Sequence, residues 1–405
     1  MSQQGDENYL TTAEVARQLK VKPETIYAYV SRGLLTSVRA RGRRGSLFAA
    51  ADVERLASKS VEHSGVVEQI ESELTLLQDD ELYYRGHSVR ELATEWPLES
   101  VAHLLWTGDL TKRQPFPAPG DSVQLARSAM SVLPDSARLT DRLRVAVTVL
   151  GAADPMRFDL MPRSVVAAAE KLIGVLAASL PGPPRTSDTP QSLGKQLWPK
   201  LSPHPPRPEL LEAALIMLAD HGLAVSTIAA RVAASARANL YAVVSAGLGA
   251  LDGQYHGAAP TLAYEFLQRA QRDPLQALSD QLRSGEPVPG FGHRIYRERD
   301  PRAEVLLELL GDHPVVETVQ VLAARMPSFP NSDLAVAAMM HAFEFRADAG
   351  DALFALARII GWTAHALEEY AAPALRFRAL GIYTGRGGPV EPKVRTARPS
   401  TAGGP

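Results

Sequence analysis

From Leu210 to Leu251 the chain turns Ala-rich, with small side chains at helical spacing, and this texture limits the possible folds more than any other feature. Small residues let helices pack closely, so a long run of them reads as interior helices and not as surface. The same texture returns at 332–345 and 351–375, and the period-2 alternation of strands is scarce. An all-α body is expected. With 405 residues, 45% of them hydrophobic, two or three domains and a large core are within reach.

Charge and cysteine content narrow the function. The net charge is -2, so attraction to nucleic acid or to a membrane surface has to come from a local patch. There is no cysteine, which removes disulfides, thiolate metal sites and a Cys nucleophile, and fits a reducing compartment. No apolar run approaches the roughly 18–20 residues of a membrane span, and the polar start MSQQGDENYL lacks the apolar core of a signal peptide. A cytoplasmic location with no membrane contact is expected. No phosphate-binding glycine loop or dinucleotide fingerprint is present, and no metal or nucleotide redox cofactor is implied.

Residues 1–60 have their own grammar. Thr11 or Thr12 with Glu14 makes a capping box ahead of Val15, Ala16 and Leu19, and Pro23 opens a second helix that carries Thr25, Ile26, Tyr27 and Val30. A basic hairpin or wing with Arg41, Arg43 and Arg44 follows, then a third helix over 48–56. The unit holds ten Lys and Arg against six Asp and Glu, a surplus of four in a slightly acidic chain. Two short helices and a basic wing resemble the winged helix-turn-helix of excisionase and MerR-type regulators. That resemblance implies DNA contact through Thr25, Tyr27, Arg41, Arg43 and Arg44; the alternative is a docking module of the same shape. Residues 61–80 read as a helical connector, the Pro-rich stretch 180–209 as a surface connector or mobile loop, and 384–405 as a disordered tail.

Polar residues interrupt the helical body at few places. Pro289–Arg302 packs a His, four Arg, two acids and several turn-formers into one loop, which can present His293 and its arginines to a small anion. Asp300-Pro301 should stop that loop and start a helix, leaving Arg302 in a first turn that disfavours a cation unless an anion is near. Asp220-His221, His256 between glycines and Asp333 at a helix start are the other spots, and each has a plain structural reading as a cap or core residue. Arg358, on an apolar helix, needs an anionic partner if it is buried.

The order of these motifs from 81 to 383 is similar to that of the citrate synthase family. Gly290-Phe-Gly-His-Arg-Ile-Tyr296 with Asp300-Pro-Arg302 resembles its signature loop. Tyr84-Arg-Gly86, the pair Asp220-His221, His256-Gly257, Pro330-Asn-Ser-Asp333, Arg358 with Gly361-Trp362 and His365, and Arg376 fall around it in family order. The resemblance implies large and small helical domains without a cofactor, acting on acetyl-CoA or propionyl-CoA and oxaloacetate. It implies that His256, His293 and Asp333 are catalytic, that His221, Arg302 and Arg358 hold oxaloacetate, and that Arg294 and Arg297 face CoA. It further implies a homodimer in which Arg376 reaches the partner's site. Gly222, Ala258, Pro260 and Phe377 depart from the family pattern, and the first three leave open a regulator whose synthase body senses a ligand.

Overall fold

The computed structural model describes residues 9–19, 21–31, 35–38, 46–50, 52–53, 70–183, 191–253, 256–257 and 259–377. The chain divides into two compact units, with boundaries after Glu68 and after Arg376.

In the first unit β1 (Tyr9–Thr11) leads into α1 (Thr12–Gln18), followed by α2 (Pro23–Ser31), β2 (Ser37–Val38) and β3 (Leu47–Ala49). Thr11 is the N-cap, and Glu14 returns a carboxylate to its backbone, so the capping box is the one the sequence announces. The strands pair antiparallel in the order β1-β3-β2 over a core of Val15, Ile26, Leu35, Phe48 and Val53. Phe48 and Ala49 therefore belong to a strand and not to the third helix expected there. Arg41, Arg43 and Arg44 lie outside the described residues. Thr25 is half-buried, whereas Tyr27 is 63% exposed on α2.

The second unit opens on β4 (Thr75–Gln78), β5 (Glu81–Tyr84) and β6 (His87–Ser88). Asp79 and Asp80, at φ 53 and 55, close β4 onto β5 in the primed turn geometry that suits a two-residue hairpin. The stretch 75–84 is thus a hairpin, which corrects the helical connector expected through residue 80. Helices follow: α3 (Val89–Glu95), α4 (Leu98–Thr107), α5 (Gly120–Met130), α6 (Leu139–Ala153), α7 (Pro162–Ser179), α8 (Leu193–Leu201) and α9 (Pro208–Leu218). Then come α10 (Val225–Ser235), α11 (Leu240–Leu251), α12 (Ala259–Ala270), α13 (Pro274–Ser284), α14 (Pro301–Leu310), α15 (Pro314–Ala323), α16 (Ser332–Ala342) and α17 (Ala349–Ala371). The body is all-α apart from its small sheet. Among the described residues no helix is long and apolar enough to cross a membrane.

The run 226–251 is two helices, broken where Arg237 takes φ 61 and Asn239 caps α11. The Pro-rich stretch holds α8, whose Leu193, Leu197, Trp198 and Leu201 are buried, so this part is a packed helix and not a surface loop. The tail 384–405 lies outside the described residues.

Two cores result. The larger joins α3 to α11 with α14 and α17. The smaller joins α12, α13 and α15. α16 serves both: Leu334, Ala337 and Ala338 face the small core, while Ala335, Val336, Met339 and Met340 face the large one. A residue at the start of α16 is therefore set by both halves of the body.

Candidate active site

The loop before α14 is bound to the start of α16. Gly292 N–H donates to Phe329 O at 2.8 Å, and Asn331 N–H donates to Gly290 O at 2.9 Å. Gly290 has φ +81, and a Cβ there would sit 2.6 Å from the Leu334 Cβ, so only glycine admits this approach. His293 projects from the loop. Its Nδ1 accepts the N–H of Ile295 at 3.1 Å, which places its proton on Nε2. The His221 ring stands edge-on 5.0 Å away, and His221 Nε2 pairs with the Tyr296 hydroxyl at 3.0 Å.

Two buried arginines converge on this group. Arg302 is gripped by Asp300 through Nε at 2.9 Å and Nη2 at 2.8 Å, and its guanidinium lies 5.3 Å from the Tyr296 ring centre. Asp300 supplies the anion that the first turn of α14 needs. It also accepts the Ser332 N–H at 3.0 Å, which links Arg302 to the helix that carries Asp333. Burial raises the Asp300 pKa, but the charge and hydrogen bonds of Arg302 outweigh it and leave the group below the usual carboxylate range. Arg358 is 1% exposed and donates Nε to Leu218 O at 3.1 Å. Among the described residues its Nη1 has no partner, as expected of a cation built to receive an anion. Its guanidinium lies 4.6 Å from the Phe354 ring, which touches the His256 ring edge-on at 5.8 Å.

Asn331 is the N-cap of α16 and takes the N–H groups of Asp333 and Leu334, so the cap role open to Asp333 is filled by a neighbour. Burial pushes the Asp333 carboxyl up to about 6, against the pull of Arg302. Burial drives the imidazoles the other way. His256 falls to about 4 with Arg358 adding to the effect, His293 falls to about 4 beside Arg302, and His221 falls well below its usual value. All three are neutral near pH 7. His256 Nε2 meets the Ser226 hydroxyl at 2.8 Å.

Other expected residues stand apart. Arg294 and Arg297 are exposed on the loop. Arg297 lines a cleft of about 580 Å³ with Asp79, Asp80 and Glu298, an acidic surrounding for a residue expected to face CoA phosphates. Arg376 donates Nε to Glu369 of its own chain at 2.8 Å. Glu369 is buried against Arg231, whose Nη1 also meets His365 Nδ1 at 2.6 Å. The His365 proton must then sit on Nε2, facing Asp220 Oδ1 at 3.2 Å, and this chain fixes the turn that carries His221. Ser226, Tyr296, Arg231 and Glu369 are absent from the sequence-derived set. Only Arg231 carried a signal, as the lone charge in an otherwise uncharged helix.

The comparisons bear on this geometry. Residues 64–378 match the family model "Citrate synthase, C-terminal domain", and residues 9–60 match "Helix-turn-helix domain". The 2-methylcitrate synthase of Mycobacterium tuberculosis is 30% identical, over 76% of this chain and 86% of that protein. The citrate synthase of Mycolicibacterium smegmatis is 29% identical, over 76% and 90%. In structure the body is similar to citrate synthase from Thermotoga maritima, with a TM-score of 0.66 at 25% identity over 82% of this chain and 98% of that one. The likeness runs through the whole body and takes in the loop, both buried arginines and the start of α16: the chain belongs to the citrate synthase family of enzymes.

Proposed function

We propose that the body condenses acetyl-CoA or propionyl-CoA with oxaloacetate, giving citrate or 2-methylcitrate and free CoA. One observation carries this reading. The Asp333 carboxyl is relieved of helix capping by Asn331, poised at about 6, and set beside two buried arginines. Asp333 takes a proton from the thioester α-carbon, and neutral His256 donates to the resulting enol oxygen. The α-carbon then bonds to the keto carbon of oxaloacetate, whose oxygen takes the proton from His293 Nε2. Arg302 and Arg358 hold its carboxylates with His221 alongside, and water cleaves the thioester. Arg294 and Arg297 would meet CoA at the surface, and Arg376 would complete the partner's site.

The homodimer has physical support. Apart from buried Arg231, neither α10 nor α11 carries a charged residue, yet Val225 is 70% and Val232 44% exposed, with Ala242 and Gly249 open on the next helix. An uncharged two-helix face of this kind suits a second copy. The helix-turn-helix match and the surplus of basic residues in 1–60 support DNA binding by the first unit, with Thr25, Tyr27, Arg41, Arg43 and Arg44 as its contacts.

Thiol release tests the reaction, because a chain without cysteine adds no thiol of its own. Release that needs both oxaloacetate and an acyl-CoA is expected, and the ratio of the two rates names the product. No release with either acyl-CoA, while oxaloacetate still binds, overturns the enzymatic reading in favour of a ligand sensor. Gly222, Ala258 and Pro260 would then be the first positions to restore.

A further inference from the structure

Behind His256, three helix starts and one helix end meet. Asp351 of α17 reaches the start of α12, where Oδ2 accepts the Thr261 hydroxyl at 2.9 Å. Pro260, just before, has no N–H to offer, and Asp351 holds the start of α12 through the Thr261 side chain. The residue is 7% exposed, and among the described residues its Oδ1 is buried without a partner. Thr140 Oγ1, at the start of α6, is buried and equally unpaired. Both residues line one cavity of about 20 Å³, together with Arg138, Arg144, Asp252 and Gly257.

Size and charge identify the occupant. The space exceeds the roughly 10–15 Å³ that one water needs. A cation is disfavoured by Arg138 and Arg144, which both pair with Asp252 at the rim, and an anion is disfavoured by Asp351 and Asp252. What remains is a neutral molecule that donates to a carboxylate and bonds a hydroxyl. We propose that a single structural water bridges Asp351 Oδ1 and Thr140 Oγ1, and that Asp351 is thereby a positioning residue for His256. Gly257 follows His256 and lines the same cavity, and a Cβ on it would lie 2.1 Å from Leu251 O. The turn is pressed against the end of α11, while the Asp351 carboxylate and its water pin the start of α12 to α6. The His256 backbone is held from both sides.

The positioning role rests on the proposed part of His256; the water does not. A crystal structure of the full chain should show a density peak within hydrogen-bond distance of both oxygens, and an empty cavity there overturns the water. Asp351→Asn should lower kcat about tenfold while oxaloacetate KM stays within about twofold, because the ligands of oxaloacetate lie elsewhere. Thr140→Val should act in the same direction but less, and it carries the kinetic arm if Asp351→Asn does not fold. A lower melting temperature with intact kcat, or a shift in oxaloacetate KM alone, overturns the positioning role. If the wild type shows no turnover, the functional reading fails, and the crystallographic arm still decides the water.

Discussion

Burial moves Asp333 and the three site imidazoles in opposite directions, up for the acid and down for the bases, and this sets the pH response. Asp333 works only when ionised, so turnover should rise with pH through about 6 and then level off. His256 and His293 shed their protons near 4 and add no falling limb between pH 6 and 8. A pH–kcat profile with a midpoint near 4 would show that another group is the base. Asp333→Asn should cost about 10²–10⁴ in kcat with the melting temperature little changed; near-normal turnover would remove Asp333 from the mechanism. At this scale the sequence was informative about residue types and less so about roles. A lone Asp near a helix start reads as its cap, and only coordinates show that Asn331 takes that task. Asp300 read as a cap and is one, but its second hold on Arg302 and its contact with Ser332 are tertiary and leave no local pattern.

Helices with strong apolar texture were legible, whereas elements masked by their own breakers were not. In α8, Leu193, Leu197 and Leu201 keep helical spacing, but Pro199 inside the helix and the prolines around it hide the pattern. Trp198 shows that the stretch is structural: its Nε1 donates to His204 O at 2.9 Å, and Phe343 and Phe345 make T-shaped contacts with its ring at centroid distances of 5.1 and 5.2 Å. Trp198→Ala should cost about 3–5 kcal/mol, measurable by denaturant unfolding, and a cost below about 1 kcal/mol would mean that α8 is not anchored. The β4–β5 hairpin was hidden for another reason. Its turn is Asp79-Asp80, which tolerates positive φ without the glycine that usually advertises such a turn. The split of 226–251 turns on a single left-handed residue, Arg237, at which no propensity scale would break a helix.

At the scale of the molecule, charge and texture change near residue 60, whereas the compact units part after Glu68 and after Arg376. Nothing local records that α16 spans two cores, since that depends on which faces meet after folding. Removing residues 1–60 should leave thiol release within about twofold and abolish retention of DNA fragments, because phosphate contact is carried by clustered cations. DNA retention by the truncated chain would place the contact in the body. The uncharged outward faces of α10 and α11 have a separate consequence. Contacts made by cations and phosphates weaken as counterions are added, whereas apolar burial does not. One ionic-strength ramp followed by light scattering should therefore separate the two associations in a single trace: nucleic acid leaves early, and paired subunits persist to the end.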